Sequence, residues 1–162
     1  MTEIIFQDHY PEDYAHCYGC GYLNEHGLRI KSCWEGDEAV CRFTPRENHT
    51  AFPGFVYGGL IASIIDCHSM GTAAAAWMRE NGMEIGAGPT ARFVTGRLEV
   101  DYLRPTPMGG ELEARSRAEE VGEKKVVVTT ELLAEGEVCA RGRVVAVRLP
   151  ESLHRALMAK KP

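Results

Sequence analysis

Two features of the chain have residue types and a spacing suited to chemistry. The segment Phe52-Pro53-Gly54-Phe55-Val56-Tyr57-Gly58-Gly59-Leu60 places two adjacent glycines at the entry to a long helical pattern. A helix start exposes backbone N–H groups at the positive end of the helix dipole, and such donors can hold a carbonyl oxygen that is gaining negative charge. A flexible helix entry is an equally good reason for the same glycines. The second feature is Asp66, inside Ile64-Ile65-Asp66-Cys67. Aspartate is a poor residue for a helix interior. Apolar neighbours would raise its pKa and suit it to act as a general base or nucleophile. It could equally face solvent or serve as a buried hydrogen-bonding post. Gly58 and Asp66 are eight residues apart. On one helix they are separated by about 12 Å along the axis and roughly 80° around it. One substrate carbonyl cannot touch both within a single helix, so a catalytic role for both predicts a dimer with two sites at its interface.

The remaining reactive side chains carry weaker signals. His49 stands in a loop, where a histidine is more often a surface or hydrogen-bonding residue. His68 lies two positions past Asp66 and so points away from it on a helix. His9, His16 and His26 have no metal-ligand spacing with one another or with the cysteines. Cys17 and Cys20 form a C-x-x-C pair, which could be half of a zinc site or a redox pair. Cys33 and Cys41 do not make a second close pair, and no strand–C-x-x-C–helix context surrounds the first. The pair is therefore read as a structural turn or lid, and no metal or other cofactor is assigned. No H-E-x-x-H, P-loop, G-x-G-x-x-G or G-x-S-x-G motif occurs.

The elements that must position these residues follow from periodicity. Residues 1–27 read as a loop or lid segment rich in aromatics and turn formers. Residues 28–150 read as the main domain and 151–162 as a tail. Strand candidates are Leu28–Trp34 and Ala39–Phe43, separated by the turn signal Glu35-Gly36-Asp37-Glu38. A polar loop from Thr44 to Val56 leads into a helix from Tyr57 or Gly58 to about Arg79, ended by Asn81-Gly82. Its many small residues, Ala73 to Ala76 among them, predict tight packing against a sheet. From Val94 to Tyr102 the even positions are largely apolar and the odd ones polar, a period of two. Strands over Glu111–Val121, Lys124–Ala134 and Val138–Leu149 follow, joined by Gly-bearing turns, with a short helix in the tail from Glu151 to Lys161. The expected class is α+β: one long helix across an antiparallel sheet of five to six strands. The open edges of such a sheet are commonly covered by oligomerisation.

Composition excludes several classes of function. With 162 residues, 44% apolar and 25% charged, the chain fits one ordinary globular domain and not a disordered tail or a fibre. A net charge of −5 without a basic stripe argues against nucleic acid as partner. The most apolar stretch, Leu60–Met78, contains Asp66 and His68 and is not a membrane span. The first residues lack the features of a secretion signal, so the six cysteines suggest a reducing cytoplasm.

Phe52 to Leu60, Asp66 within the helix, and Asp101-Tyr102-Leu103-Arg104-Pro105 at a strand end occur in the order seen in hotdog-fold acyl-CoA thioesterases. The sequence resembles the PaaI-like group of the 4-hydroxybenzoyl-CoA thioesterase superfamily over roughly residues 17–148. Cys17-Tyr18-Gly19-Cys20-Gly21 with Asn24, Gly27 and Leu28 resembles an N-terminal motif of that group. The resemblance implies a hotdog fold, acyl-CoA as substrate, hydrolysis to a free acid and CoA, and a homodimer or homotetramer. It further implies Asp66 as general base or nucleophile, Gly59 and Gly58 as N–H donors to the thioester oxygen, and Thr95 as a residue that positions water. Arg104 falls in the region expected to meet CoA. Tyr57 occupies a position where the family commonly has histidine: it can donate a hydrogen bond but lacks that positive charge. The departure keeps open a non-catalytic protein that binds acyl-CoA or a related small ligand. His49 is placed at the pocket mouth as a polar contributor.

Overall fold

The computed structural model describes residues 2–160. Six strands form one antiparallel sheet: β1 (Cys33–Glu35), β2 (Glu38–Phe43), β3 (Phe93–Tyr102), β4 (Leu112–Val121), β5 (Lys125–Ala134) and β6 (Glu137–Arg148). Their spatial order is β1-β2-β4-β5-β6-β3. The helix α1 (Gly58–Glu80) connects β2 to β3 and lies across one sheet face. A short helix α2 (Glu151–Met158) follows β6. Residues 161 and 162 of the expected tail, like residue 1, lie outside the described residues. The class is α+β with the hotdog arrangement, one helix wrapped by a sheet.

Local chemistry explains the connections. Gly36 adopts φ +65° in the β1–β2 turn. Glu135 and Gly136 both adopt positive φ between β5 and β6, the backbone required by a two-residue hairpin turn that matches strand twist. β3 does not pair with its sequence neighbour β4. It crosses to the far edge of the sheet and pairs with β6. One edge is thus the three-residue β1, and the other is the ten-residue β3, whose side chains are mostly exposed.

Two expectations from periodicity are corrected. Of the Leu28–Trp34 candidate only Cys33 and Trp34 join the ladder, and β1 runs on to Glu35, a residue of the expected turn. Arg29 adopts φ +55°, which breaks the extended run, and the Leu28 and Ile30 N–H groups donate to the Tyr18 and Gly19 carbonyls instead. The even–odd alternation of Val94 to Tyr102 also fails at one point. The β3–β6 register slips between Thr95 and Arg97, so Gly96 is an extra, bulged residue. Beyond it Val100 packs on the core and Tyr102 reaches the α1 start. Before it, the face is switched: Phe93 packs against Ala73 and Ala74 of α1, and Thr95 faces α1 while Val94 is exposed.

The core lies between α1 and the inward residues of β4, β5 and β6. The helix sits close to the sheet because β6 carries Gly142 beneath it: a Cβ there would lie 2.2 Å from Cγ2 of Ile65. Residues before β1 also enter the interior. Phe6, Gln7, Tyr10 and Ala15 are buried, around short 3-10 turns at Phe6–His9 and Glu12–Tyr14. Gln7 accepts from the Ser32 N–H at 2.7 Å and donates to its hydroxyl at 3.1 Å. The Ser32 hydroxyl lies 2.8 Å from His68 Nδ1, and His68 Nε2 lies 3.2 Å from the Ala39 carbonyl. A carbonyl only accepts, so Nε2 carries the proton and Nδ1 accepts from Ser32. Burial lowers the His68 pKa to about 4, and the ring is neutral at ordinary pH. His68 is therefore a core post that joins the N-terminal segment, β2 and α1.

Two substitutions test this packing. Gly142→Ala should lower the denaturation midpoint by the equivalent of about 1–3 kcal/mol through overpacking. Gly88→Ala, where a Cβ meets nothing within 4 Å, should change stability by less than about 0.5 kcal/mol. Ser32→Ala leaves His68 Nδ1 and the Gln7 amide without their partner and should cost about 1–3 kcal/mol in the same measurement.

Candidate functional site

Asp66 and Thr95 meet. The Thr95 hydroxyl donates to Asp66 Oδ1 at 2.8 Å. The Gly96 bulge makes this contact possible by turning Thr95 toward α1. Asp66 is half-buried, and burial raises its pKa; the Thr95 hydrogen bond lowers it, and the nearby Cys17 thiol raises it. Both residues line a cavity of about 330 Å³. Met70, Ala74, Phe93, Val94, Tyr10 and Tyr14 give that cavity mostly apolar walls. The Tyr14 hydroxyl donates to the Phe93 carbonyl and ties the N-terminal segment to β3. A carboxylate held by one hydroxyl at the side of an apolar cavity can take a proton from a water placed against a bound ligand.

The helix start lies elsewhere. No side chain caps α1, and the Tyr57 carbonyl accepts from the Leu60 and Ile61 N–H groups. The Gly58 and Gly59 N–H groups have no backbone partner among the described residues. Gly58 lines a separate hollow of about 400 Å³ with Tyr102, Arg104 and Thr106. The Tyr102 hydroxyl donates to the Gly58 carbonyl at 2.8 Å and fixes the helix entry to the end of β3. The Tyr57 ring lies over Gly59: a Cβ on Gly59 would be 2.4 Å from Tyr57 Cε1. Arg104 forms an ion pair with Glu137. The two hollows share no lining residue. One chain therefore brings Asp66 to Thr95, and Gly58 to Tyr102 and Arg104, but does not bring these two groups to one point.

His49 lines neither hollow. Its Nδ1 accepts from the Arg46 N–H at 3.0 Å, closing its own 3-10 turn, and its ring packs against Phe43. Burial, then the charge of Arg46, lowers its pKa. Its carbonyl accepts from the Tyr57 N–H at 2.9 Å, so it acts on the helix entry through the backbone.

Sequence reasoning missed the third cysteine at this site. Cys17, Cys20 and Cys67 converge, with all three Sγ atoms within 4.8 Å of one another, and all line the same cavity as Asp66. Cys67 follows Asp66 on α1, so the C-x-x-C pair finds its neighbour across the fold and not along the chain. The glycines of the N-terminal motif explain how. A Cβ at Gly19 would lie 2.2 Å from Cys67 Sγ, and one at Gly21 would lie 2.3 Å from the Ala15 carbonyl oxygen. Asn24 Nδ2 donates to the His16 carbonyl at 3.1 Å and holds the loop from the other side.

The chain is similar to a thioesterase superfamily protein of Shewanella loihica PV-4 of known crystal structure, with 48% identity and a TM-score of 0.66, over 85% of this chain and 97% of that one. It shares its fold with the PaaI protein of the E. coli phenylacetic acid degradation operon, with a TM-score of 0.62 and 18% identity over 76% of this chain and 81% of that one. The acyl-coenzyme A thioesterase THEM4 of Xenopus laevis is 29% identical over 114 residues, 68% of this chain and 46% of that protein. The chain thus spans about half the length of the curated relative it matches. Residues 53–141, which hold the helix entry, Asp66, Thr95 and Arg104, match the family as a whole, and the chain belongs to the Thioesterase superfamily.

Proposed function

We propose that the protein hydrolyses an acyl-CoA thioester to a free acid and CoA, as a homodimer or homotetramer in the cytoplasm. The observation that carries this reading is the Asp66–Thr95 pair beside an apolar cavity, in a chain of the Thioesterase superfamily. The acyl group occupies the cavity walled by Met70, Ala74 and Phe93. Asp66, held by Thr95, takes a proton from water as the water oxygen bonds to the carbonyl carbon. The C–S bond then breaks, and the CoA sulfur leaves with a proton. The Gly58 and Gly59 N–H groups of the partner subunit stabilise the oxyanion, because those of the same helix are about 12 Å away. Tyr57 and Arg104 lie at that helix entry and contact CoA. The long open edge of β3, with Val94, Leu98 and Tyr102 exposed, supports an assembly that covers it. Six free thiols accord with a reducing compartment.

The test is hydrolysis of short, medium, long and aryl acyl-CoAs, with released CoA quantified chromatographically because the protein's own thiols react with thiol dyes. Asp66→Asn should lose about 10²–10⁴-fold in kcat. An unchanged rate removes Asp66 from the chemistry. Binding of acyl-CoA without turnover by the wild type would favour the ligand-binding reading that Tyr57 motivates.

A second measurement addresses the shared site. Gly58→Pro removes one N–H donor at a helix position where proline is tolerated, and Tyr57 before it already has a compatible backbone, φ −60° and ψ 128°. Co-expressed with Asp66→Asn, it should restore about a quarter of wild-type activity, through mixed dimers that each keep one intact site. No recovery above the two single variants would place both groups in one chain.

A further inference from the structure

We propose that Cys17, Cys20 and Cys67 form a binding site for a thiophilic divalent cation, zinc being the natural case, in the wall of the acyl cavity. The geometry is that of a tetrahedral thiolate site lacking one corner. Zn–S bonds of about 2.3 Å at tetrahedral angles put the sulfurs about 3.8 Å apart. Cys17 Sγ and Cys67 Sγ are 3.9 Å apart, and all three sulfurs lie within 4.8 Å of one another. No fourth His, Cys, Asp or Glu atom joins that group among the described residues. One position is left for water or a small ligand, an arrangement found in zinc sites that keep an open coordination position.

The surrounding backbone is built for this convergence. Gly19 leaves room for the Cys67 thiol where a Cβ would collide with it, so the loop closes on α1 at the sulfur itself. The Gly21 N–H donates to the Cys17 carbonyl at 2.8 Å, folding the C-x-x-C segment so that both of its thiols face Cys67. The Leu28 and Ile30 N–H groups bind the Tyr18 and Gly19 carbonyls at 2.8 and 2.9 Å and hold the loop from outside. A bound divalent cation displaces the thiol protons to solvent and leaves three thiolates around it. The bonds formed are three metal–sulfur bonds, and no electron is transferred. Cys33, Cys41 and Cys139 have no place in this cluster.

The test uses the full chain, chelator-stripped and kept reduced without oxygen. Cobalt(II) serves as the probe because its visible bands report tetrahedral geometry and its near-ultraviolet bands report thiolate ligands. Wild type should bind one cobalt per chain with both signatures, and zinc should displace it. Cys17→Ser changes an exposed side chain and should weaken cobalt binding at least about a hundredfold, more than outer-shell changes do. Cys139→Ser should bind as wild type. If a variant fails to fold, a second readout on wild type decides: zinc should slow alkylation of Cys17 by iodoacetamide at least about tenfold, since coordination removes the free thiolate. Absence of cobalt–thiolate bands in wild type, a spectrum unaffected by Cys17→Ser, or an alkylation rate unchanged by zinc would each overturn the proposal. None of these readouts depends on hydrolysis, so they stand or fall separately from the thioesterase reading.

Discussion

One turn of α1 is held from two sides, and the site depends on that confinement. Ile65 presses on the sheet where Gly142 has no side chain, and two residues later Cys67 presses on the N-terminal loop where Gly19 has none. Adding a Cβ at either glycine would bring atoms to 2.2 Å, a distance at which the helix or its neighbour must move. Asp66 lies between these two contacts. Its position is therefore set by backbone approach, which tolerates less shift than side-chain packing does. A carboxylate with one hydroxyl partner beside an apolar cavity is poorly fixed by its own contacts. The two glycines on either side of its helical turn supply the missing rigidity.

The sheet makes the complementary adjustment. A regular β3 would turn Thr95 away from α1 along with Arg97, Glu99 and Asp101. The extra residue at Gly96 reverses the facing of Phe93 and Thr95 while Val100 and Tyr102 keep theirs. The bulge also has a steric reason to be glycine, since a Cβ there would lie 2.7 Å from Val147 Cγ2. β3 thus hydrogen-bonds α1 through Thr95 at Asp66 and through Tyr102 at Gly58, with the bulge between them. The same strand is the long free edge of the sheet. The strand that places polar groups along α1 is therefore also an open edge of the sheet.

Much of this was legible in the sequence, because strong local signals coincide with the fold. The helix bounds were readable from small and apolar residues between two glycines and an Asn-Gly. The β4, β5 and β6 hairpins were readable from alternation broken by glycine turns. Three features were not. The reversed facing of Thr95 follows from a one-residue register slip against β6, where Thr95 pairs with Ala146, and it leaves no local mark beyond a glycine. The short β1 follows from Arg29 adopting a left-handed backbone where the pattern reads as strand. The Cys17–Cys20–Cys67 convergence joins residues 47 or more positions apart, which no spacing rule along the chain can detect. The resemblance to hotdog thioesterases supplied Thr95 where periodicity had put it on the wrong face.

The N-terminal segment then reads differently from a lid. Gln7 hydrogen-bonds Ser32, which bonds His68; Tyr14 bonds the β3 backbone; and Gly19 receives Cys67. Each link reaches α1 or β3 within a few residues of Asp66 or Thr95. Tyr10 and Tyr14 in addition form part of the cavity wall. Removing such a segment would unpair buried polar groups and open one side of the cavity together, so its structural and binding contributions are not separable by truncation. The C-x-x-C pair sits at the point where this segment meets α1. A cross-link of thiolates through a cation at that point would fasten the cavity wall to the turn of helix that carries Asp66, on the side opposite the Ile65–Gly142 contact.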